Sequence, residues 1–363
     1  MTLWDTLCAL SNTQYNYYCS APEIDLNNLS SKMAYQFIKS TYKIGCKDKI
    51  FNIGFQRSFK EKGKHVHTLI LYLLGCCLQS WLVKPLQNQL LTYIPTADEL
   101  YDFNYVWYLT CLYHDTASVI ENSEWHKGVS SDINFHLGKH NIMNNVYEHS
   151  WEKKSLKPYT YSENVIKNYF RYRVEYCHSI DHGILAGYLL YDRLISNYNE
   201  TWKKYRRNST FDDYNNFYYN GLCWRIEHQS LFAIVADAII AHNIWHSDDK
   251  VLFQSYGLDS LVKSNKFSFE KNMSFEKNTL AFILGLLDTI EPTKFFDKES
   301  PMKVLKSINL ECDNVYRIRR IKISLLDKLA AQNDWLEKLE SMENWLNVKV
   351  DTVDLNTRLI TIK

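Results

Sequence analysis

The feature that most constrains this chain is a set of ionisable residues embedded in segments that otherwise read as core. The dipeptide His114-Asp115 ends the apolar run YVWYLTCLY. His67 stands in HVHTLILYLLG, His182 in SIDHGILAGYLLYDRL, His242 in AIVADAIIAHN and Asp288 in AFILGLLDTIEPTK. Burying so many titratable groups is costly unless something compensates them, and a bound cation is an economical compensation. The expectation is a mainly α fold whose helices bring these residues to one place.

Imidazole and carboxylate donors suit Mn, Fe, Co, Ni, Zn or Mg, and the absence of thiolate argues against a structural zinc. Local spacing directly supports only His114-Asp115 as a ligand pair, with a helix-end capping pair as the plain alternative. The others lie tens of residues apart, so only tertiary structure can assemble them. His65 precedes His67 by two residues, and two positions along a helix do not share a face. His178, one turn before His182, reads as a contact to a ligand or substrate, and a satisfied core histidine is the alternative for both. His246 is a rival to His242 one turn on. Asp237 in AIVADAIIA reads equally as a carboxylate holding an imidazole and as an ordinary helix-face residue. Asp181 reads as surface, and Glu291 as a helix-end residue.

The 363 residues allow one large domain or two smaller ones. A net charge of +1 provides no global field to draw nucleic acid or anionic lipid. The local basic run Lys203-Lys204-Tyr205-Arg206-Arg207 reads as a solvated helix end. Nine cysteines without a CxxC pair exclude zinc-finger spacing and suit a reducing cytoplasm. The first dozen residues lack a basic start followed by an apolar stretch, so a cytoplasmic protein is expected. Val66–Val83 is about as long as the shortest membrane helices, but it carries His67, Thr68, Gln79 and Ser80 and reads as one buried helix.

Periodicity places further helices near Thr2–Leu10, Leu29–Tyr42, 97–113, 162–174, 178–197, 224–245 and 278–290. A Pro-containing stretch, Lys84 to Pro95, separates two of them. Residues 121–164 form a polar insertion with a short helix near Ile133–Leu137. The polar, aromatic segment 200–220 is expected to cover a cleft, and 247–277 resembles a linker. From about 303 the pattern changes to a strand at Val315–Ile323, a helix over 324–346, and strands at Val348–Val350 and Thr357–Ile362. The chain therefore divides into an N-terminal helical extension (1–60), a helical body (61–300) and a small C-terminal α/β appendage (301–363).

The order His67, His114-Asp115, Asp288 resembles the H…HD…D pattern of the HD-domain superfamily of metal-dependent phosphohydrolases. HVHTLILYLLG is similar to its first histidine helix, LYHDTASVIE to its second motif, and FILGLLDTIEP to its last helix. DHGILAGYLL is similar to the HxxxGAxLL segment of two-metal subgroups. The resemblance covers residues 60–295. His242 is followed by Asn243 and no GYP occurs, which departs from the cyclic-dinucleotide branch and from its third metal.

The resemblance implies a helical core with one or two divalent ions. His67, His114, Asp115 and Asp288 would hold the first. Asp115 would bridge to a second, completed by His182 and His242. Metal-bound hydroxide would then attack a phosphate ester, most simply of a nucleotide or cyclic nucleotide. Lys294, or His126 and Lys127 in the insertion, would supply a nearby cation, with solvated surface as the alternative. Aromatics at 105–108 and 211–219 would stack a base, with core packing as the alternative. A non-catalytic nucleotide sensor and an HD-type nuclease on single strands are the competing functions. Low net charge argues against the nuclease.

Overall fold

The computed structural model describes residues 1–11, 14, 24–41, 64–95, 103–121, 129–151, 157–208, 216–219, 222–263, 273–296, 298–315, 318–329 and 332–362. Mainly helical, it carries a small antiparallel sheet near its C-terminus. In chain order the helices used below are α1 (Leu3–Cys8), α2 (Ser31–Thr41), α3 (Lys64–Cys77), α4 (Gln79–Tyr93), α5 (Phe103–Tyr113), α6 (Ser118–Glu121), α7 (Ile133–Lys139), α8 (Glu163–Glu175), α9 (His182–Asn208), α10 (Glu227–Ala241), α11 (Lys250–Ser255), α12 (Thr279–Ile290), α13 (Pro301–Lys306) and α14 (Gln332–Ser341).

The centre of the body is α10, in which every residue from Leu231 to Ala241 is buried. A helix apolar on all sides must be surrounded, and α5, α9 and α12 pack against it. The α9–α10 seam is tight because Gly183 and Gly187 lie on one face of α9. A Cβ on Gly187 would stand 2.6 Å from the Ala236 carbonyl oxygen. Helix α3 is enclosed by α1, α2, α4, α5 and α12.

The run expected as one helix over 66–83 is two helices, α3 and α4, bent by 88°. Trp107 of α5 fills the space beside Gly75, and its indole donates to the Tyr72 carbonyl at 3.0 Å. Leu78 then leaves helical geometry, and α4 starts afresh at Gln79. Pro85, expected in a connector, lies inside α4. The missing rung is tolerated there because Leu82, Leu86 and Leu90 bury one face. No single helix among the described residues is long and apolar enough to cross a membrane.

The segment 200–220 also differs from its reading. Helix α9 continues to Asn208, and β1 (Asn216–Tyr219) pairs antiparallel with β2 (Leu222–Arg225). Tyr198, Phe217 and Trp224 form a small satellite core. Phe217 is thus packed, as are Trp107 and Tyr108 in the main core, so these rings do not offer open stacking faces. Residues 211–215 lie outside the described set. Lys203, Lys204, Arg206 and Arg207 are exposed near the far end of α9, roughly 30 Å of helix away from its first residue.

The C-terminal part contains one strand more than its pattern suggested. β3 (Ile308–Val315), β4 (Ile318–Leu325), β5 (Val348–Asp354) and β6 (Thr357–Ile362) form an antiparallel sheet in the order β3-β4-β6-β5. Ile321, Ile323, Ile360 and Ile362 supply its buried face. The helix expected over 324–346 is shorter, because 326–329 form no helix before α14. All three blocks share one apolar core. Helix α1 packs on α13 and β3, α14 packs on α12, and Trp345 fills the space over Gly285 of α12.

Candidate metal centre

The six residues singled out from the sequence meet at one end of the helical body. His67 lies in the first turn of α3, His114 directly follows α5, His182 opens α9, His242 caps the end of α10, and Asp288 lies in the last turn of α12. Helix ends bring polar groups together here because their unpaired N–H and C=O groups already need polar surroundings.

The ring tautomers follow from their partners. His67 Nδ1 is 2.6 Å from a Glu291 carboxylate oxygen, and His114 Nδ1 is 2.8 Å from the Cys111 carbonyl oxygen. His182 Nδ1 is 2.6 Å from a Glu121 carboxylate oxygen, and His242 Nδ1 is 2.6 Å from the Ile239 carbonyl oxygen. An oxygen acceptor requires that Nδ1 carry the hydrogen, so every neutral ring presents its Nε2 lone pair.

Those lone pairs converge. His67 Nε2 and His114 Nε2 are 3.1 Å apart. Asp288 Oδ1 lies 3.1 Å from the first and 3.6 Å from the second. Asp115 Oδ2 lies 3.6 Å from each. Ligand atoms about 2.1 Å from one cation stand roughly 3.0–3.4 Å apart in tetrahedral or cis-octahedral positions. The spacing and chemistry of this set therefore fit one divalent ion, and His67, His114 and Asp288 form the tightest group.

A second side of the same centre is built on Asp115. Its Oδ1 lies 3.3 Å from His182 Nε2. The His242 ring stands 5.5 Å from those of His114 and His182. Its Nε2 is buried without a hydrogen-bond partner, an orphan that a cation would satisfy.

Electrostatics follow the same lines. Burial works to raise the Asp115 carboxyl, but Lys64 first, then His114, His182 and His67, hold it well below the usual carboxylate range. Asp288 is lowered against its burial mainly by Lys294, whose Nζ is 2.7 Å away, and by both imidazoles. His67 is pushed up to about 9, because Glu291 and Asp288 outweigh the effect of its burial. A proton on His67 relieves two facing lone pairs, the same role a metal would take. His242 is pushed down to about 3 by burial and by the two neighbouring imidazoles, which leaves it neutral.

Three supporting residues were not expected at the centre, although Glu291 does stand at the end of α12, as its C-cap. Glu291 is wholly buried, holds His67, and accepts from Thr293 N–H at 2.9 Å. Glu121 holds His182 and pairs with Arg173 at 2.8 Å. Lys64 Nζ lies 2.7 Å from Asp115 Oδ2. Charged residues at helix ends are ordinary in sequence; Lys64 and Glu291 stand three positions from His67 and Asp288, one helical turn away, whereas Glu121 has no such spacing to a site residue. Lys294 is at the centre but paired with Asp288.

The alternatives separate as well. His65 turns to Ser31 and Tyr35, away from the centre. His178 is exposed in a left-handed turn ahead of α9. Asp181, expected at the surface, is fully buried and caps α9 through Ile184 N–H at 2.9 Å. Among the described residues Asp237 meets no imidazole; it accepts from Thr160 N–H and, at 2.7 Å, from Thr160 Oγ1. His246 is buried. His126 and Lys127 lie outside the described residues. Comparison of the chain with protein-family models, with curated proteins and with solved structures gives no match in any of the three.

Proposed function

We propose that this chain is a metal-dependent phosphohydrolase of the HD type that cleaves a phosphate ester, most simply of a nucleotide. The observation that carries this reading is the facing pair of lone pairs on His67 and His114, 3.1 Å apart, flanked by Asp115 and Asp288. His67, His114, Asp115 and Asp288 would hold one ion, and Asp115, His182 and His242 a second. A divalent ion there supplies Lewis acidity, lowering the pKa of bound water and offsetting charge on phosphoryl oxygens. Glu291 and Glu121 hold the imidazoles in the tautomer that binding requires. Lys64 and Lys294 bring two ammonium groups to the rim, where they attract and orient a phosphate. The exposed basic run of α9 lies far from this centre, which favours a small substrate over a nucleic-acid strand.

Elemental analysis and calorimetry with Mn, Mg, Co, Ni and Zn test the centre, and bis-p-nitrophenyl phosphate, p-nitrophenyl phosphate and a nucleotide panel test turnover. The expected result is one or two ions per chain and metal-dependent ester cleavage. In Asp115→Asn, binding is lost and turnover falls by a factor on the order of 10³, with helical circular dichroism kept. Full activity in that variant, or no divalent binding by the wild type, would overturn the reading.

A further inference from the structure

Lys338 of α14, the helix that packs on the α12 helix of Asp288, is a cation with a different kind of partner. Lys64 and Lys294 each sit 2.7 Å from a carboxylate oxygen. The Lys338 ammonium instead stands 3.6 Å from the centroid of the Trp245 ring, and among the described residues no carboxylate pairs with it. The side chain is half-buried. Burial first, and then Lys294, push its pKa down to about 8, while Asp288 pulls the other way. Lys338 therefore shares a field with two residues of the centre.

The indole beneath it is held from several sides. Trp245 N–H donates to the Tyr169 hydroxyl at 3.2 Å, and its ring packs on Trp345 at 4.9 Å. The indole N–H donates to Asn243 Oδ1 at 3.4 Å, and the Asn243 amide donates to Asp181 Oδ2 at 3.1 Å. Asn243 follows His242, and Asp181 precedes His182, so this shelf is tied to the second side of the centre. Helix α14 itself packs on α12, the helix of Asp288.

A half-buried ammonium without an acid is costly, and an aromatic face compensates only part of that cost. Placed beside a phosphate-binding centre, such a group is suited to an anion that arrives with the substrate. We propose that Lys338, on its Trp245 shelf, is a positioning residue that receives a second phosphoryl group of the substrate, so that the C-terminal α/β part completes the site. This rests on the hydrolytic reading for its biological meaning, but its binding prediction can be tested apart from turnover.

The test compares methylphosphonate, which carries one phosphoryl-like group, with methylenediphosphonate, which carries two and resists hydrolysis. Their dissociation constants for the full chain are measured by ³¹P NMR titration, with and without Mg. Lys338→Met should weaken methylenediphosphonate by about tenfold and methylphosphonate by less than about twofold. Lys338→Arg should recover most of the loss. Equal weakening of both probes, or no change in either, overturns the proposal. If the wild type cleaves no ester but the selective loss is seen, the hydrolytic reading fails and the Lys338 anion position stands.

Discussion

Asp288 and Asp237 occupy closely similar sequence settings and have opposite electrostatic fates. Each is a single carboxylate in an aliphatic helix, AFILGLLDTI for α12 and AIVADAIIA for α10. Burial raises the pKa of both. At Asp288, Lys294 and the imidazoles of His114 and His67 overcome that effect and keep the acid ionised. At Asp237 the donors from Thr160 offset burial only in part, and the acid is pushed up to about 7. Asp288 is one member of a charged cluster, whereas Asp237 clamps the 157–162 loop onto the helical body. An acid in an apolar helix is therefore a candidate ligand only when imidazoles and ammonium groups from other helices reach it.

The comparison can be broken most sharply at Gly183, where the α9–α10 seam seats His242. A Cβ there would stand 2.8 Å from His242 Cε1 and 2.9 Å from the Ile239 carbonyl oxygen. Gly183→Ala should cost about 1–3 kcal/mol in denaturant unfolding and weaken metal binding as His242 shifts. Unchanged stability would show that the seam can open to admit a methyl group.

A smaller effect is expected at Glu291, which removes charge behind His67 without removing bulk. Glu291→Gln should weaken Mn binding by about tenfold in calorimetry. An affinity within twofold of wild type would mean that the carboxylate only fills space.

The smallest effect on the centre is expected from Asp237→Asn. The folded pKa of Asp237 stands above its ordinary value of 3.8, so its contribution to stability is complete below that pH and is lost as pH rises through about 7. In the variant, unfolding curves between pH 4 and 8 should lack that decline, and Mn affinity should stay within about twofold of wild type. A large loss of Mn binding would place Asp237 in the centre after all and erase the contrast.

Much of the site was legible because its residues are locally anomalous. A histidine in HVHTLILYLLG or an aspartate in FILGLLDTI has no reason to lie in core without a partner. The supporting shell was not legible for the opposite reason. Glu291 beside Pro292, Glu121 at the end of α6 and Lys64 at the start of α3 stand where charged residues are commonplace. Buried Asp181 was misread because its helix cap and its contact with Asn243 come from the fold. The α3–α4 bend was hidden for a similar reason, since Trp107, thirty residues on, fills the corner.

By itself the sequence determined a helical body with a strand-rich end, and it marked six residues that had to be compensated together. Periodicity and burial cost are local properties, readable from neighbours a few positions apart. The tertiary structure alone decided which nitrogen each imidazole offers, which acid ionises, and that Lys338 from the last sixty residues stands over the Trp245 ring. Those outcomes depend on charges and acceptors brought within a few ångströms from distant parts of the chain, and Coulomb and hydrogen-bond energies respond to that distance.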